Sequence, residues 1–154
     1  MIKINVITSN TSGFRFIKSP NSYIDKKIKK LNLNNKNYKK KVIFCTLLLS
    51  NNREVKNLNK KFRKKDKTTD VLSFPFHDAK NLKNKLRKEK EIYLGDIIVN
   101  LNKVKAKENL KYFKLEFDRL WVHGLVHLFG HNHKKEKDFR AMNIVEKNYL
   151  KFIK

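Results

Sequence analysis

The segment His123-Gly-Leu-Val-His127-Leu-Phe-Gly130-His131-Asn-His133 decides how the rest of the chain is interpreted. His123 and His127 are four residues apart, so in a helix their imidazoles lie on one face, one turn apart. Gly130 follows three residues later and suits a left-handed turn that ends the helix. The chain can then return toward the helix and bring His133 beside the other two rings.

Three imidazoles in this arrangement predict a metal site. His123, His127 and His133 suit one tetrahedral zinc ion per chain, with three protein ligands and an open fourth position. The alternative is that these are core or surface histidines brought together by chance, but three at this spacing favour a metal. His131 would replace His133 if the helix continued past Gly130, and the glycine favours His133.

The spacing equals that of the metzincin proteases, H-E-x-x-H-x-x-G-x-x-H, with one difference. The glutamate that serves those enzymes as general base is Gly124 in this chain. A metalloprotease is therefore one hypothesis, but the missing base and the charge of the chain argue against it.

The charge is extreme. With 38 Lys and Arg against 14 Asp and Glu, the formal net charge is +24. Such a balance implies an anionic partner, and nucleic acid is the natural one. The alternative is lysine drift on a solvated surface in an A/T-rich genome, which the abundance of Lys, Asn and Ile also fits.

The length of 154 residues predicts a single domain over residues 1–154. A single cysteine, Cys45, lies in an apolar run, which rules out an internal disulfide and fits a reducing cytoplasm. No apolar window has the length of a membrane span, and the first residues lack a signal-peptide pattern. We expect a soluble, cytoplasmic protein without a membrane partner.

Four segments are typical of strands. Ile2–Val6 alternates apolar and polar residues, and Val42–Leu49 is continuously apolar, as in a central strand buried on both faces. Thr69–Phe76 contains Pro75, which cannot donate to a strand ladder and predicts that this strand lies at the sheet edge or ends there. Ile92–Val99 is the fourth strand.

Helical spacing predicts about five helices. They cover Ser22–Leu31, a helix capped near Asn51 with Val55, Leu58 and Phe62, a helix capped at Asn102 with Val104, Ala106, Leu110 and Phe113, the metal helix Leu115–Phe129, and Asp138–Ile153. Residues 32–41 and 77–91 are predicted as basic loops, the second mobile with weak helical character, and a contact with nucleic acid is the alternative for each. The expected fold is α+β, a single domain with a mixed four-stranded sheet and a zincin-like, buried metal helix.

Three stretches, in this order, match a known family. They are Leu58-Asn-Lys-Lys-Phe-Arg63 continuing to Thr69-Asp-Val-Leu-Ser-Phe-Pro-Phe76, then Leu94-Gly-Asp-Ile97, then Leu120–His133, followed by Met142 and Glu146. Together they resemble the YbeY family of bacterial metal-dependent endoribonucleases.

The resemblance implies a zinc held by His123, His127 and His133, and catalytic roles for Arg63 and His123. It also implies a single-strand-specific, zinc-dependent endoribonuclease that matures the 3′ end of 16S ribosomal RNA and serves ribosome quality control, with the small ribosomal subunit as partner. Two residues depart from the family pattern. Asn132 stands where Asp is usual, and Thr68 stands where proline is common.

The residue types fit this chemistry. A bound zinc ion activates water near neutral pH, and Arg63 can grip phosphate oxygens with two donors. Attack by the 2′-OH of the RNA is the alternative route, and Arg63 is alternatively one more surface cation. A zinc-stabilised RNA-binding assembly factor without catalysis is the alternative function.

Polar residues inside predicted elements are candidates for supporting roles. Ser73 and Asp96 lie within strands, where each can turn the chain or hold a loop by hydrogen bonding. Asp96 can instead orient a ligand histidine. Glu116 is a second candidate for that role, because it lies seven residues before His123, two turns along the same helical face.

Overall fold

Four strands and five helices are found in residues 1–9, 16–105 and 108–154, the part of the chain that this computed structural model describes. The strands are β1 (Ile2–Thr8), β2 (Val42–Ser50), β3 (Val71–Pro75) and β4 (Glu91–Asn100). The helices are α1 (Pro20–Asn34), α2 (Asn52–Arg63), α3 (Ala79–Lys88), α4 (Leu110–Leu128) and α5 (Glu136–Phe152), with a 3-10 turn at Lys36–Tyr38.

The strands form one mixed sheet in the order β1-β2-β4-β3. β1, β2 and β4 are parallel, and β3 runs antiparallel to β4. β3 lies at the edge, as Pro75 predicted, and β2 is central. The predicted fold, a single α+β domain with a mixed four-stranded sheet and five helices, is confirmed.

The main core lies on one face of the sheet, called here the inner face. Alternate residues of β1 are buried there, and α1 and α4 pack over the strands. Helix α4 supplies its largest side chains, Phe113, Phe117 and Trp121, all at most 1% exposed. Cys45 is in this core, where burial raises the pKa of its thiol to about 12 and leaves it unreactive. Among the described residues no helix is long and apolar enough to cross a bilayer.

The opposite, outer face is only partly covered. Helix α2 packs on one end of it through Val55, which forms a small apolar cluster with Leu72 and Ile98. At the other end Phe44 is 41% exposed. The prediction that Val42–Leu49 is buried on both faces is therefore wrong at this end, because α2 is too short to cover the whole of β2.

Two further predictions are corrected. Residues 77–91 contain a regular helix, α3, whose first turn is capped by the Asp78 carboxylate accepting from the Asn81 N–H at 2.9 Å. Leu82 anchors α3 in the core at 2% exposure. Leu82 and Leu86, four residues apart, are the only large apolar residues of this lysine-rich helix. Two such residues give a weak periodic signal, so the sequence is interpreted as a loop.

The helix predicted from Asn102 does not form there. Residues 101–103 make a turn, and α4 begins at Leu110, capped by Asn109, whose side chain accepts from the Lys111 N–H at 2.9 Å. The metal helix is thus longer than the predicted Leu115–Phe129. Ala106 lies outside the described residues. The cap predicted near Asn51 is confirmed, since its side chain accepts from the Glu54 N–H at 3.0 Å.

Gly124 lets α4 lie directly on the sheet. A Cβ at this position would be 2.5 Å from Cγ2 of Ile97 and 3.2 Å from Oγ of Ser73. The Ser73 hydroxyl donates to the Gly124 carbonyl at 3.3 Å. The position that carries the base in metzincins therefore faces β3 and β4 and has no room for a side chain.

We expect Gly124→Ala to destabilise the fold. Overpacking against Ile97 costs about 1–3 kcal/mol, partly offset by the better helix propensity of alanine, worth up to ~1 kcal/mol. Urea unfolding measures the change. In a double-mutant cycle, Ile97→Ala should relieve part of the cost of Gly124→Ala. Additive effects would contradict the contact.

Candidate metal centre

Three histidines come together at the end of α4. One ring nitrogen from each of His123, His127 and His133 lies within 4.8 Å of the other two, and the three can hold a metal ion. The first two are contributed by α4, where their Nε2 atoms are 3.1 Å apart. The third comes from the segment after the helix.

The turn at Gly130 brings His133 back. Helix α4 ends at Leu128, and Gly130 adopts φ +90°, a conformation that a side chain would disfavour. The carbonyl of His127 accepts from the Gly130 N–H at 2.9 Å. The predicted left-handed stop is confirmed, and within the described residues the cluster contains His133 rather than His131.

Hydrogen bonds select the tautomers of two rings. The His127 Nδ1 lies 2.9 Å from the His131 carbonyl, which can only accept, so Nδ1 carries the proton and Nε2 a lone pair. The His123 Nδ1 lies 3.0 Å from a carboxylate oxygen of Glu146, which selects the same tautomer. Two lone pairs facing each other at 3.1 Å repel unless a cation lies between them.

The spacing suits a small tetrahedral ion. Nitrogens bound at ~2.0–2.1 Å to a tetrahedral zinc are about 3.3 Å apart, close to the distance between these Nε2 atoms. The pKa of His127 is lowered, mainly by burial and also by the neighbouring His123 and His133. A lowered pKa keeps the ring neutral, which is the form that binds metal.

Glu146 contacts His123, and the sequence did not reveal this contact. Helix α5 carries it to His123, where its side chain is 16% exposed. The sequence marks Glu146 as part of a family pattern, but only the packing of α5 on α4 places it beside the ring.

Asp96 and Glu116, the two residues suggested by the sequence to orient a ligand histidine, bond to other side chains instead. Asp96 accepts from the Tyr93 hydroxyl at 2.5 Å on the outer face of the sheet. Glu116 accepts two hydrogen bonds from Arg119, both at 2.9 Å, and these lower its pKa. Glu116 is on the predicted face of α4, but seven residues of helix rise about 10 Å, too far for a carboxylate to reach His123.

The histidines line a cavity of about 890 Å³ between the end of α4 and the free edge of β3. Arg63, the last residue of α2, lies on the wall of the same cavity. Its Nη2 donates to the Ser73 carbonyl at 3.0 Å, and its guanidinium lies 5.7 Å from the Phe74 ring. A guanidinium has five N–H donors, so this contact orients the group and leaves donors for an anion.

Asn132 also lines this cavity. Its side-chain oxygen accepts from the Lys134 N–H at 3.1 Å. The amide thus supports the turn after α4 without adding a negative charge beside the histidines.

A family model described as Endoribonuclease YbeY matches residues 9–154. The chain belongs to this family. Among YbeY relatives, a protein named Endoribonuclease YbeY from Pelagibacter ubique is 39% identical over 156 residues, covering 100% of this chain and 97% of the relative. One of the same name from Mycoplasmopsis pulmonis is 38% identical over 153 residues, covering 94% and 97%.

A solved structure agrees with the fold. The solution structure of a Thermotoga maritima protein superposes with a TM-score of 0.59 at 22% identity, covering 98% of this chain and 89% of that one. At this identity the likeness supports the fold alone.

We expect close to one equivalent of metal per chain purified without an affinity tag. His123→Ala, His127→Ala and His133→Ala should each lose most of it, because three ligands are the minimum for a tetrahedral protein site. Elemental analysis measures the content. His131→Ala is the matched control and should keep the metal, since only its backbone carbonyl serves the site.

Glu146→Gln should weaken metal binding by about 10- to 100-fold, the usual cost of losing a partner that orients a ligand histidine. Competition with a chelating dye gives the affinity. Glu136→Gln, on the exposed first turn of the same helix, is the control. Equal affinities for wild type and Glu146→Gln would show that the carboxylate does not support His123.

Proposed function

We propose that this chain is a zinc-dependent, single-strand-specific endoribonuclease that matures the 3′ end of 16S ribosomal RNA and takes part in ribosome quality control. The observation that carries the proposal is the convergence of three histidines in a cavity whose wall holds Arg63. Membership of a family of endoribonucleases supports the cleavage of RNA. The buried Cys45 thiol fits the reducing cytoplasm in which the small ribosomal subunit is made.

The metal is proposed to be zinc because the ligands are three imidazoles and the Nε2 atoms of His123 and His127 are close to the separation that a tetrahedral site needs. When bound, zinc supplies a Lewis acid and lowers the pKa of water toward neutrality. The protein holds His123 through Glu146 and His127 through the His131 carbonyl, so both rings present Nε2 to the cavity.

Arg63 is proposed to bind the phosphate that reacts. Its guanidinium is held by the Ser73 carbonyl at the cavity wall, so its remaining donors are oriented before RNA arrives. A planar fork matches two phosphate oxygens and opposes the negative charge that grows during cleavage. Attack by water and attack by the 2′-OH both require this contribution.

The net charge of +24 supports a polyanionic substrate. The close contact of Gly124 with Ile97 weighs against a protease, because it leaves no space for a general base after the first histidine.

The decisive test separates cleavage from binding. Arg63→Lys should keep its metal and bind RNA almost as tightly, because many other cations attract the strand. Its cleavage rate should fall by roughly tenfold to a thousandfold, the scale of losing one oriented donor. Single-turnover cleavage of a labelled RNA, with and without chelator, provides the measurement.

Arg53→Lys is the matched control, because Arg53 is an exposed arginine in the first turn of the same helix. It should cleave at the wild-type rate. Wild-type cleavage by both Arg63→Lys and Arg63→Ala would make Arg63 part of the solvated surface. Metal-loaded protein that binds RNA but never cuts it would favour an assembly factor.

A further inference from the structure

Three aromatic rings lie side by side on the part of the outer face that α2 leaves open. Phe44 of β2 is 5.3 Å from Tyr93 of β4, and Tyr93 is 5.5 Å from Phe76, measured between ring centroids. Phe44 is 41% exposed and Phe76 is 67% exposed. Aromatic rings grouped in this way present a continuous apolar surface to water, which is unfavourable unless something binds there.

Local irregularity in β4 builds this surface. The pairing of β2 with β4 shifts register between Phe44 and Thr46, and Gly95 adopts φ +130° at that point. The extra residue in β4 brings Tyr93 and Asp96 to the same face although they are three apart. The Tyr93 hydroxyl bonds the Asp96 carboxylate at 2.5 Å and lies 3.2 Å from the Thr46 hydroxyl, so the central ring is held in place.

The surface continues into the metal cavity. Phe76, at one end of the row, also lines the cavity that contains the three histidines and Arg63. Lys3 of β1 pairs with Phe44 at the other end and places a cation on the same face. If an RNA strand placed one phosphate at Arg63, its neighbouring nucleotides would therefore lie beside these rings.

We propose that Phe44, Tyr93 and Phe76 form a platform on which unpaired RNA bases stack beside the phosphate held in the histidine cavity. This inference rests on the proposed function and names the feature of RNA that this surface recognises. Bases stack on aromatic side chains with little regard to sequence, because every base has a π-face. Bases inside a duplex are already stacked and paired, so the platform selects single strands.

The net charge of the chain favours this occupant over a second copy of the chain. Docking of a second copy through the same rings would bring two chains of charge +24 together, which like-charge repulsion opposes.

The test compares two strands that cannot be cleaved. One is a 2′-O-methyl oligonucleotide with bases, and the other is an abasic strand of the same length and charge. Wild type should prefer the strand with bases. Phe44→Ala and Phe76→Ala should each weaken its binding by roughly fivefold to a hundredfold and leave the abasic strand unaffected, as expected for lost stacking.

Tyr112→Ala is the control, because Tyr112 is an exposed aromatic, 58% accessible, near the opposite end of α4. It should bind both strands as wild type does. The log–log salt slope should stay the same in all three variants, because the slope counts phosphate contacts and none is removed. A changed slope in Phe44→Ala or Phe76→Ala would indicate a charge effect and overturn the proposal.

Phe44→Trp is a second variant that keeps a ring, and it should retain the preference for bases. A strand carrying 5-iodouridine should also cross-link to one of the three rings in the wild-type protein. Cross-linking confined to other residues would overturn the platform even if the alanine variants failed to fold.

The inference and the proposed function fail in different ways. Equal binding of both strands by wild type overturns the platform, whether or not the protein cuts RNA. A base preference that Phe76→Ala abolishes supports the platform, even if the metal-loaded protein cuts no RNA and the proposed function falls. A dimer that dissociates in Phe76→Ala, without any base preference, would assign the surface to a second copy.

Discussion

The close packing of α4 on the sheet is the constraint on which the other features depend. Gly124 allows the helix backbone to approach β3 and β4, and Ser73 bonds to its carbonyl. This contact sets the position of the last helical turns, and therefore of His123 and His127, relative to the edge strand. The cavity exists because the helix end and the free edge of β3 are held at a short, defined separation.

Groups outside the histidine cluster orient two of its rings. A backbone carbonyl orients His127, and a carboxylate from another helix orients His123. The two Nε2 lone pairs then converge, which is unfavourable in an empty site and favourable around a cation. Ligand rings that are held by hydrogen bonds on their far sides and point their free nitrogens at one place are the usual structural sign of a metal centre.

The two faces of the sheet differ in how far the helices cover them. Its inner face is buried under α1 and α4 and provides the stability of the domain. Its outer face is half covered by α2, and the remainder carries Phe44, Tyr93 and Phe76, which are exposed to different degrees. The helix that leaves this area open also ends at Arg63, so the same element shapes the open surface and supplies a cation to the cavity.

The sequence by itself determined the parts of this protein that depend on local spacing. The four-residue separation of His123 and His127, the stop at Gly130, the cap at Asn51 and the edge position of Pro75 follow from helix geometry, backbone freedom and the missing N–H of proline. Helix α3 was missed because its apolar signal is only two leucines, Leu82 and Leu86, among lysines. The start of α4 was misplaced because two asparagines compete as caps.

Tertiary structure alone decided the contacts between distant segments. Glu146 reaches His123 across 23 residues of sequence, whereas Glu116, which shares the helix of His123, is bound to Arg119. The three aromatic rings come from β2, from β4 and from the residue that follows β3, and their adjacency depends on sheet order and on one extra residue in β4. Periodicity reports which side of its own element a residue occupies, but the partner it meets depends on how the elements pack, and that is set by the whole core.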